Sequence, residues 1–284
     1  MADPLTNKVP AALKHGVLGF IVTLKLAWRN LARNRKRTSI SAITVAFAVF
    51  LLQLSYAMLI GLEDQSFDNL INYQTGHAKI FAAGYFEERE DLTLDHLIRV
   101  SDSLQHALAE LDGVAGAAPR ITFAAQLSDG SDQLSVLGVG IQPAGSDDAV
   151  FRIRQAIVGG RYLDPEDEGL LLGSGLAEFF EAGVGDWLTV LAKTKNGAYE
   201  ALDLEVIGLI GTGNPAIDRN TIMMPLDVTR YMLDMESEAT EIALRFASAS
   251  RSERTLQRVS EVLGEEKQVD LKSWQEVEED FEFT

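Results

Sequence analysis

The sequence contains no cysteine and only four histidines among its 284 residues. Without cysteine there can be no disulfide bond, no thiol nucleophile and no Cys-ligated zinc. Two histidines, His96 and His106, fall on one predicted helix, but they are ten residues apart, which is not metal-ligand spacing. The composition therefore points away from a metal site.

Signatures of nucleotide binding and nucleophilic catalysis are also missing. There is no Gly-Lys pair and hence no P-loop, so any ATP used must be bound by another chain. In GLIGTGNP (residues 208–215) the glycines follow the order G-x-x-G-x-G, and we expect a turn without a helix that opens towards a phosphate. Ser174 lacks the G-x-S-x-G context of a nucleophile elbow. The sequence predicts neither a cofactor nor an enzyme.

Charge is distributed unevenly along the chain. Residues 1–39 contain eight Lys or Arg and one Asp, a formal charge of +7, whereas residues 64–284 contain 17 basic and 40 acidic side chains, a charge of −23. An acidic domain repels phosphates, so nucleic acid is not an expected partner. The simplest explanation of the acidity is solubility.

One long hydrophobic run stands out. Residues 40–62 form 23 positions without a charge, and as a helix they would span roughly 35 Å, enough to cross a hydrocarbon core of about 30 Å. A buried helix of a soluble protein is the alternative. The run is too long for the apolar region of a signal peptide, which favours a retained anchor. A helical stripe of Phe67, Leu70 and Ile71 predicts that the helix continues to about Tyr73.

The residues before this run predict its orientation and a membrane-surface helix. Basic residues cluster before the span, so the positive-inside rule places residues 1–39 in the cytoplasm and residues 63–284 on the far side. Residues 19–37 have helical amphipathic spacing, consistent with a helix in the lipid interface or with one docked on a cytoplasmic partner. The predicted interface residues are Trp28, Arg29, Arg33, Arg35, Lys36 and Arg37.

Beyond the membrane the pattern is that of an α+β domain. Periodicity predicts a helix at residues 95–111, strands at 120–128 and 133–141, and a helix at 252–263. Strands and helices do not alternate as in βαβ units, which indicates an α+β class. Because turns are frequent and helices scarce there, residues 119–160 are predicted to form a β-rich subdomain within a mixed α/β domain.

Several segments together resemble a known family. Leu26–Thr38 (LAWRNLARNRKRT), running directly into a span, resembles the start of ABC-transporter permeases of the MacB, FtsX and lipoprotein-releasing Lol type. The segments that resemble the periplasmic core of these permeases are Gly159–Leu163, Gly169–Gly173, Leu176-Ala177, Gly183–Asp186, Val206–Leu209 and Asp218–Pro225. Gly76–Ile80 and Gly84-Tyr85 are most similar to the lipoprotein-releasing branch.

The resemblance implies a permease subunit of the mechanotransmission type in the cell inner membrane. Such subunits have four spans, with a periplasmic domain of a mixed α/β and a β-rich part between the first two. Two permeases, identical or different, pair with two ATPase subunits, whose cytoplasmic closure moves the periplasmic domains. The sequence stops at Thr284, where the second span is expected soon to begin, so we expect a fragment of such a subunit.

The sequence also predicts two sets of contact residues and leaves one alternative function open. Ser41, Thr44, Ala48 and Ser55 lie on one side of the predicted span and are candidates for packing against a partner helix, or alternatively for facing lipid. Phe81, Tyr85 and Phe86 are expected to be exposed and to contact lipoprotein cargo or a periplasmic chaperone. The rival function is a single-span sensor whose outer domain binds a ligand; a hydrolase lacks a visible nucleophile.

Overall fold

A computed structural model describes residues 22–23, 25–29, 33, 35–248, 252–264 and 269–279. The chain divides into two units, Met1–Asp64 and Gln65–Thr284. Residues 1–21, which include the start of the predicted interfacial helix, and residues 280–284 lie outside the described residues.

One helix of 36 residues, α1 (Arg35–Leu70), begins in the first unit and ends a few residues into the second. Its part from Arg35 to Gly61 is long and apolar enough to cross a membrane. Large apolar side chains along it are exposed, Phe47 and Phe50 at 59% each. Such exposure is unfavourable in water but suits lipid. The predicted continuation past residue 62 is confirmed, because α1 runs to Leu70 and a π-helical turn (Ile71–Thr75) follows.

The second unit contains seven further helices and twelve strands among the described residues. The helices are α2 (Asp102–Ala109), α3 (Ser146–Val150), α4 (Ser174–Phe180), α5 (Pro215–Asp218), α6 (Leu226–Met232), α7 (Ser252–Leu263) and α8 (Trp274–Glu279), with 3-10 turns at Phe86–Asp91 and Ile153–Ala156. The strands are β1 (Ala78–Ala82), β2 (Ile98–Arg99), β3 (Val114–Ser128), β4 (Gln133–Ile141), β5 (Ile157–Gly160), β6 (Gly169–Gly173), β7 (Trp187–Lys193), β8 (Tyr199–Ile210), β9 (Thr221–Pro225), β10 (Glu238–Ala239), β11 (Glu241–Phe246) and β12 (Val269–Ser273).

Six of the strands form a closed ring in the order β3-β4-β9-β6-β8-β7, with β7 pairing back onto β3. Ala125 of β3 lies opposite Val136 of β4 and Ala192 of β7, and all three are buried. The ring encloses apolar side chains such as Phe123. A Cβ at Gly138, directly opposite, would lie 2.3 Å from the Phe123 ring, so glycine is what makes room for it.

The other part of the sheet is built on the first half of β3. There β11 pairs with β3, β1 pairs with β11, and β12 pairs with β1, all antiparallel. One face of the sheet packs α2 and α7 into the main core, and the opposite face packs α3 and the Ile153–Ala156 turn into a second core. The result is a mixed α/β part joined through one long strand to a β-rich part.

Several sequence expectations compare directly with these elements. The α+β class with a mixed α/β part is confirmed. The β-rich ring runs from β3 to β9 and so extends well beyond residues 119–160. The helix expected at residues 95–111 begins only at Asp102, because Ile98-Arg99 pair with β10 and the Ser101 hydroxyl accepts the Leu104 N–H as the helix cap.

The expectation that no helix follows GLIGTGNP is wrong. The four-residue helix α5 begins at Pro215, with Asn214 as its cap. The carboxylate of Asp218 accepts the backbone N–H groups of Thr212 and Gly213 and the Thr212 hydroxyl. An acid inside the protein thus occupies the donors that a phosphate would need.

Close backbone packing at Gly208 gives a stability prediction. A Cβ there would lie 2.2 Å from the carbonyl oxygen of Arg161, which is backbone and cannot swing aside. We expect Gly208→Ala to lower the free energy of unfolding of the detergent-solubilised chain by about 2–3 kcal/mol in urea titrations. The control is Gly183→Ala, whose Cβ would meet only Asp186 Oδ2 at 3.8 Å and which should change stability by less than about 0.5 kcal/mol. Equal effects of the two variants would contradict the packing argument.

Candidate functional site

The chain enters the sheet of the second unit at the turn after α1. Gly76 has a φ of +66°, and its N–H donates to Ile71 O at 3.1 Å, which ends the π-helical turn. A Cβ at Gly76 would lie 2.7 Å from Leu244 O, so both its φ and its surroundings require glycine. π-helical turns occur often at functional positions. The contacts that hold this turn are therefore a candidate functional site.

A buried ion pair lies beneath the turn. Arg120 of β3 is 2% exposed and Asp147 of α3 is fully buried. The pair is bidentate, with Arg120 Nε donating to Asp147 Oδ1 at 2.7 Å and Nη2 to Oδ2 at 3.1 Å. The third nitrogen, Nη1, donates to the Tyr73 carbonyl oxygen at 3.3 Å, and the guanidinium lies over the Phe151 ring at 3.2 Å. Each nitrogen of the guanidinium thus donates a hydrogen bond, and one face of the group lies on an aromatic ring, which helps to offset the cost of burying the charge.

A second arginine holds the same turn from β11. Arg245 Nη2 donates to Asn72 Oδ1 at 2.9 Å, and Nη1 donates to Val150 O at 2.6 Å. Asn72 also accepts the backbone N–H of Arg152 at its own carbonyl, at 2.9 Å. Burial, followed by the nearby charge of Arg152, lowers the pKa of Arg245, yet a guanidinium stays protonated at neutral pH. We call Asn72, Tyr73, Arg120, Asp147 and Arg245 the entry joint.

Further buried polar groups lie on the strands and turns next to the joint. Lys79 of β1 pairs with Glu241 of β11 at 2.8 Å, and both side chains are nearly buried. His77 stacks on Phe246, and burial followed by the charge of Arg245 lowers its pKa, which favours the neutral ring at pH 7. Burial raises the pKa of Tyr85. Charged groups here are held by specific partners within the protein.

The last described elements lie beside the first ones. β1 pairs with β12 in the register Ala78↔Ser273, and Trp274 N–H donates to His77 O at 3.2 Å. Ser273 and Glu276 form a capping box, in which Glu276 Oε2 accepts the Ser273 N–H at 2.8 Å and Ser273 Oγ accepts the Glu276 N–H at 3.3 Å. The Ser273 N–H, which Glu276 accepts, is the main cause that lowers the pKa of the Glu276 carboxyl. This box fixes the start of α8 next to the entry joint.

The expected exposure of Phe81, Tyr85 and Phe86 is wrong. They are 3%, 3% and 6% exposed and pack together with Val277 of α8. The physical reason is that β1 is an inner strand between β11 and β12, and its face here is covered by the 3-10 turn and α8. Their role is to hold α8 on the sheet, and in this structure they offer no surface to cargo.

The other predicted residues lie on the helical N-terminal part. The predicted interface side chains of Trp28, Arg29, Arg33, Arg35, Lys36 and Arg37 are all exposed, Trp28 at 76%. The candidates for helix packing, Ser41, Thr44, Ala48 and Ser55, are exposed on α1, and the Thr44 hydroxyl donates to Ile40 O at 2.8 Å. Membrane contact and helix packing stay predictions for both sets.

The sequence reasoning missed the entry joint. Its arginines stand within apolar strands, in Pro119-Arg120-Ile121 and Leu244-Arg245-Phe246. A charge in an apolar strand is a signal, because arginine is rarely buried without a partner. The partners Asp147 and Asn72 are 27 and 173 residues distant in sequence, and no local pattern connects them. Among the residues that the structure describes, no group of three acids or histidines could hold a metal ion.

Comparison with known proteins assigns the fold. The model of the MacB-like periplasmic core domain matches residues 38–262. The chain belongs to this family. It is a domain of MacB/LolC/LolE-type ABC permeases, here with one candidate membrane-spanning helix, and this places it in the inner membrane. Membership also confirms the resemblance found in the sequence.

Individual relatives agree with the family. The chain is 25% identical over 217 residues to the lipoprotein-releasing system transmembrane protein LolC of Neisseria meningitidis serogroup B, covering 74% of this chain and 49% of that protein. It is 28% identical over 179 residues to LolE of Haemophilus influenzae, covering 61% and 41%. The chain thus spans about half the length, or less, of these curated relatives.

Solved structures of the same type are more distant. The periplasmic region of MacB from Actinobacillus actinomycetemcomitans has a TM-score of 0.49 and 14% identity, covering 73% of this chain and 92% of that one. The extracellular domain of the ABC-type transporter YknZ from Gram-positive bacteria has a TM-score of 0.47 and 12% identity, covering 69% and 98%.

The buried pair of the entry joint gives a second prediction. Asp147→Asn leaves the Arg120 guanidinium buried without a counter-charge, so we expect the free energy of unfolding to fall by about 3–5 kcal/mol. The control is Asp112→Asn, which breaks the exposed pair of Asp112 and Arg258 and should cost less than about 1 kcal/mol. Urea titration of both variants in detergent, followed by circular dichroism, measures the difference. A loss at Asp147 no larger than that at Asp112 would contradict the joint.

Proposed function

We propose that this chain is the first span and outer domain of a permease subunit in a mechanotransmission ABC transporter. A separate ATPase subunit hydrolyses ATP in the cytoplasm, and the resulting movement of the spans acts on the periplasmic domain. The cargo is a lipoprotein or another amphipathic molecule, as the names of the LolC and LolE relatives suggest. The subunit itself performs no catalysis. Residues 1–39 face the cytoplasm and residues 63–284 the periplasm, as the basic cluster before the span favours.

The observation that supports this proposal best is the adjacency of β1 and β12. β1 follows the turn after α1, and β12 precedes α8, from which the second span of a permease would follow. The two strands pair directly in register over residues 78–82 and 269–273. A displacement of either neighbouring span would therefore act on one short piece of sheet. Because packed interfaces shift between discrete arrangements, such a displacement can be passed on as a domain movement.

The entry joint would hold the turn after α1 firmly enough for movement of the span to be passed on to the sheet. Asn72 and Tyr73 are held by Arg245 and Arg120, which stand on two different strands. Asp147 and Val150 connect those arginines to α3. A pull on the turn is thereby shared among β3, β11 and α3 instead of bending the chain locally.

The proposed partners are an ATPase subunit, a second permease of the same or another kind, and membrane lipid.

A reconstituted complex tests this coupling. The full-length protein, tagged and purified from its native membrane, should bring down an ATPase subunit with it. In proteoliposomes, Arg245→Met removes the bonds to Asn72 and Val150, and we expect cargo release to fall at least tenfold while basal ATP hydrolysis changes less than twofold. The control Arg258→Met, on the exposed side of α7, should leave both unchanged. A co-purified kinase or cyclase module in place of an ATPase would overturn the proposal in favour of a sensor.

Packing of the span gives a separate prediction. Ser41, Thr44, Ala48 and Ser55 follow the spacing i, i+3, i+7 and i+14, which keeps them on one side of α1. Photo-crosslinkers at these positions in the full complex should label a permease helix, because small residues allow close helix approach. Phe50 and Ala57, on the opposite side, serve as controls and should label lipid. Lipid labelling from both sides would refute the predicted helix contact.

A further inference from the structure

Two aromatic side chains of the second unit are exposed in one groove. Trp187 at the start of β7 is 62% exposed, and Tyr231 on α6 is 76% exposed. Both line a groove of about 920 Å³ beside strands β7 and β8. Exposed aromatic rings in a concave surface are typical of interaction sites. We call this groove, which is bounded by residues 161–169, β7, β8 and α6, the acidic groove.

The floor of the acidic groove follows from strand register. Gly169 of β6, Glu205 of β8 and Trp187 of β7 lie side by side across three strands. The side chains of Glu205 and Trp187 are therefore cross-strand neighbours on one face of the sheet. A Cβ at Gly169 would lie 2.5 Å from Ile207 Cγ1, so the glycine leaves space for this partly buried apolar side chain in the floor. The floor thus combines an apolar surface, an aromatic ring and one acid.

Acidic side chains dominate the walls. Six carboxylates line the groove, those of Glu166, Asp167, Glu168, Asp203, Glu205 and Asp227, and the one cation is Arg161. Arg161 is already neutralised, since its Nη1 donates to Asp167 Oδ2 at 2.6 Å and its Nη2 to Asp167 Oδ1 at 2.7 Å. Glu166, Glu168 and Glu205 have no ion-pair partner within 4 Å among the described residues. The groove therefore offers uncompensated negative charge beside exposed aromatic faces.

We propose that the acidic groove binds a basic amphipathic segment of a partner protein on the same side of the membrane. Lys or Arg side chains of such a segment would pair with Glu166, Glu168 and Glu205, and would also interact with the faces of Trp187 and Tyr231. Its apolar side would cover Ile207 and Val228. The charge of −23 on residues 64–284 would attract such a segment over a distance, whereas it repels anionic lipid headgroups and acidic peptides.

Binding in the acidic groove does not depend on coupling to ATP. The groove is formed entirely by residues 161–231, and the entry joint contributes none of its lining. Absence of peptide binding would therefore not contradict the proposed transport function. Loss of cargo release would likewise not contradict peptide binding in the groove.

Fluorescence anisotropy tests the inference with the whole chain in nanodiscs of zwitterionic lipid. The probe is a labelled 12-residue peptide of repeated Leu-Lys-Lys-Leu, and its Leu-Glu-Glu-Leu counterpart is the charge control. We expect saturable binding of the basic peptide only, above that of empty nanodiscs. The double variant Glu166→Gln/Glu168→Gln should weaken binding five- to tenfold, and Trp187→Ala at least threefold.

A matched variant separates the groove from general electrostatic attraction. Glu253→Gln/Glu261→Gln removes the same charge from exposed positions of α7 and should change the Kd less than twofold. Because all these side chains are exposed, the variants should fold normally, which circular dichroism checks. Equal weakening by both double variants, equal binding of the acidic peptide, or no binding above empty nanodiscs would each overturn the proposal.

Discussion

The buried pair of Arg120 and Asp147 is the interaction on which the arrangement of the second unit depends. Removing two charges from water costs several kcal/mol for each ion, and only a complete set of partners offsets that cost. Here the set joins β3, α3 and the turn at Tyr73. The geometry is correspondingly restrictive, since a shift of any one element would leave a buried charge or a donor unsatisfied. Apolar packing alone would tolerate intermediate positions more readily.

The chain topology explains why this constraint matters for both parts of the second unit. β3 is long enough to pair with β11 in its first half and to join the closed ring in its second half. A force on the turn at Asn72 and Tyr73 would therefore reach, through Arg120, a strand that belongs to both parts of the domain. A ring of six strands has no free edge within it and resists shear, so it would move as one body. Such rigidity is what the proposed transmission of span movements to this domain requires.

Much of this fold could be predicted from sequence, and the limits are physical. The span, the strands of β3 and β4 with their turn, and the helix at Ser252–Leu263 follow from hydrophobic period and turn residues, which are local signals. Closure of the ring through β7 and β3 involves strands about 60 residues apart, and nothing local encodes it. The aromatic residues of β1 illustrate the same limit. Phe81, Tyr85 and Phe86 are read as exposed until β12 and α8, nearly 200 residues later, are known to cover them.

The acidic groove also depends on both local and distant information in the sequence. The acidity of residues 64–284 can be counted directly from the sequence, and its simplest explanation is solubility. The positions of the acids in the fold favour binding over solubility as the explanation. Glu205, for example, lies beside Trp187 only because β7 pairs with β8. An acid chosen for solubility alone needs no aromatic neighbour and no concave setting. The exposed Trp187 and Tyr231 carry an unfavourable apolar surface in water, which solubility opposes. A groove that keeps both features is better explained by a cationic, partly apolar partner than by hydration.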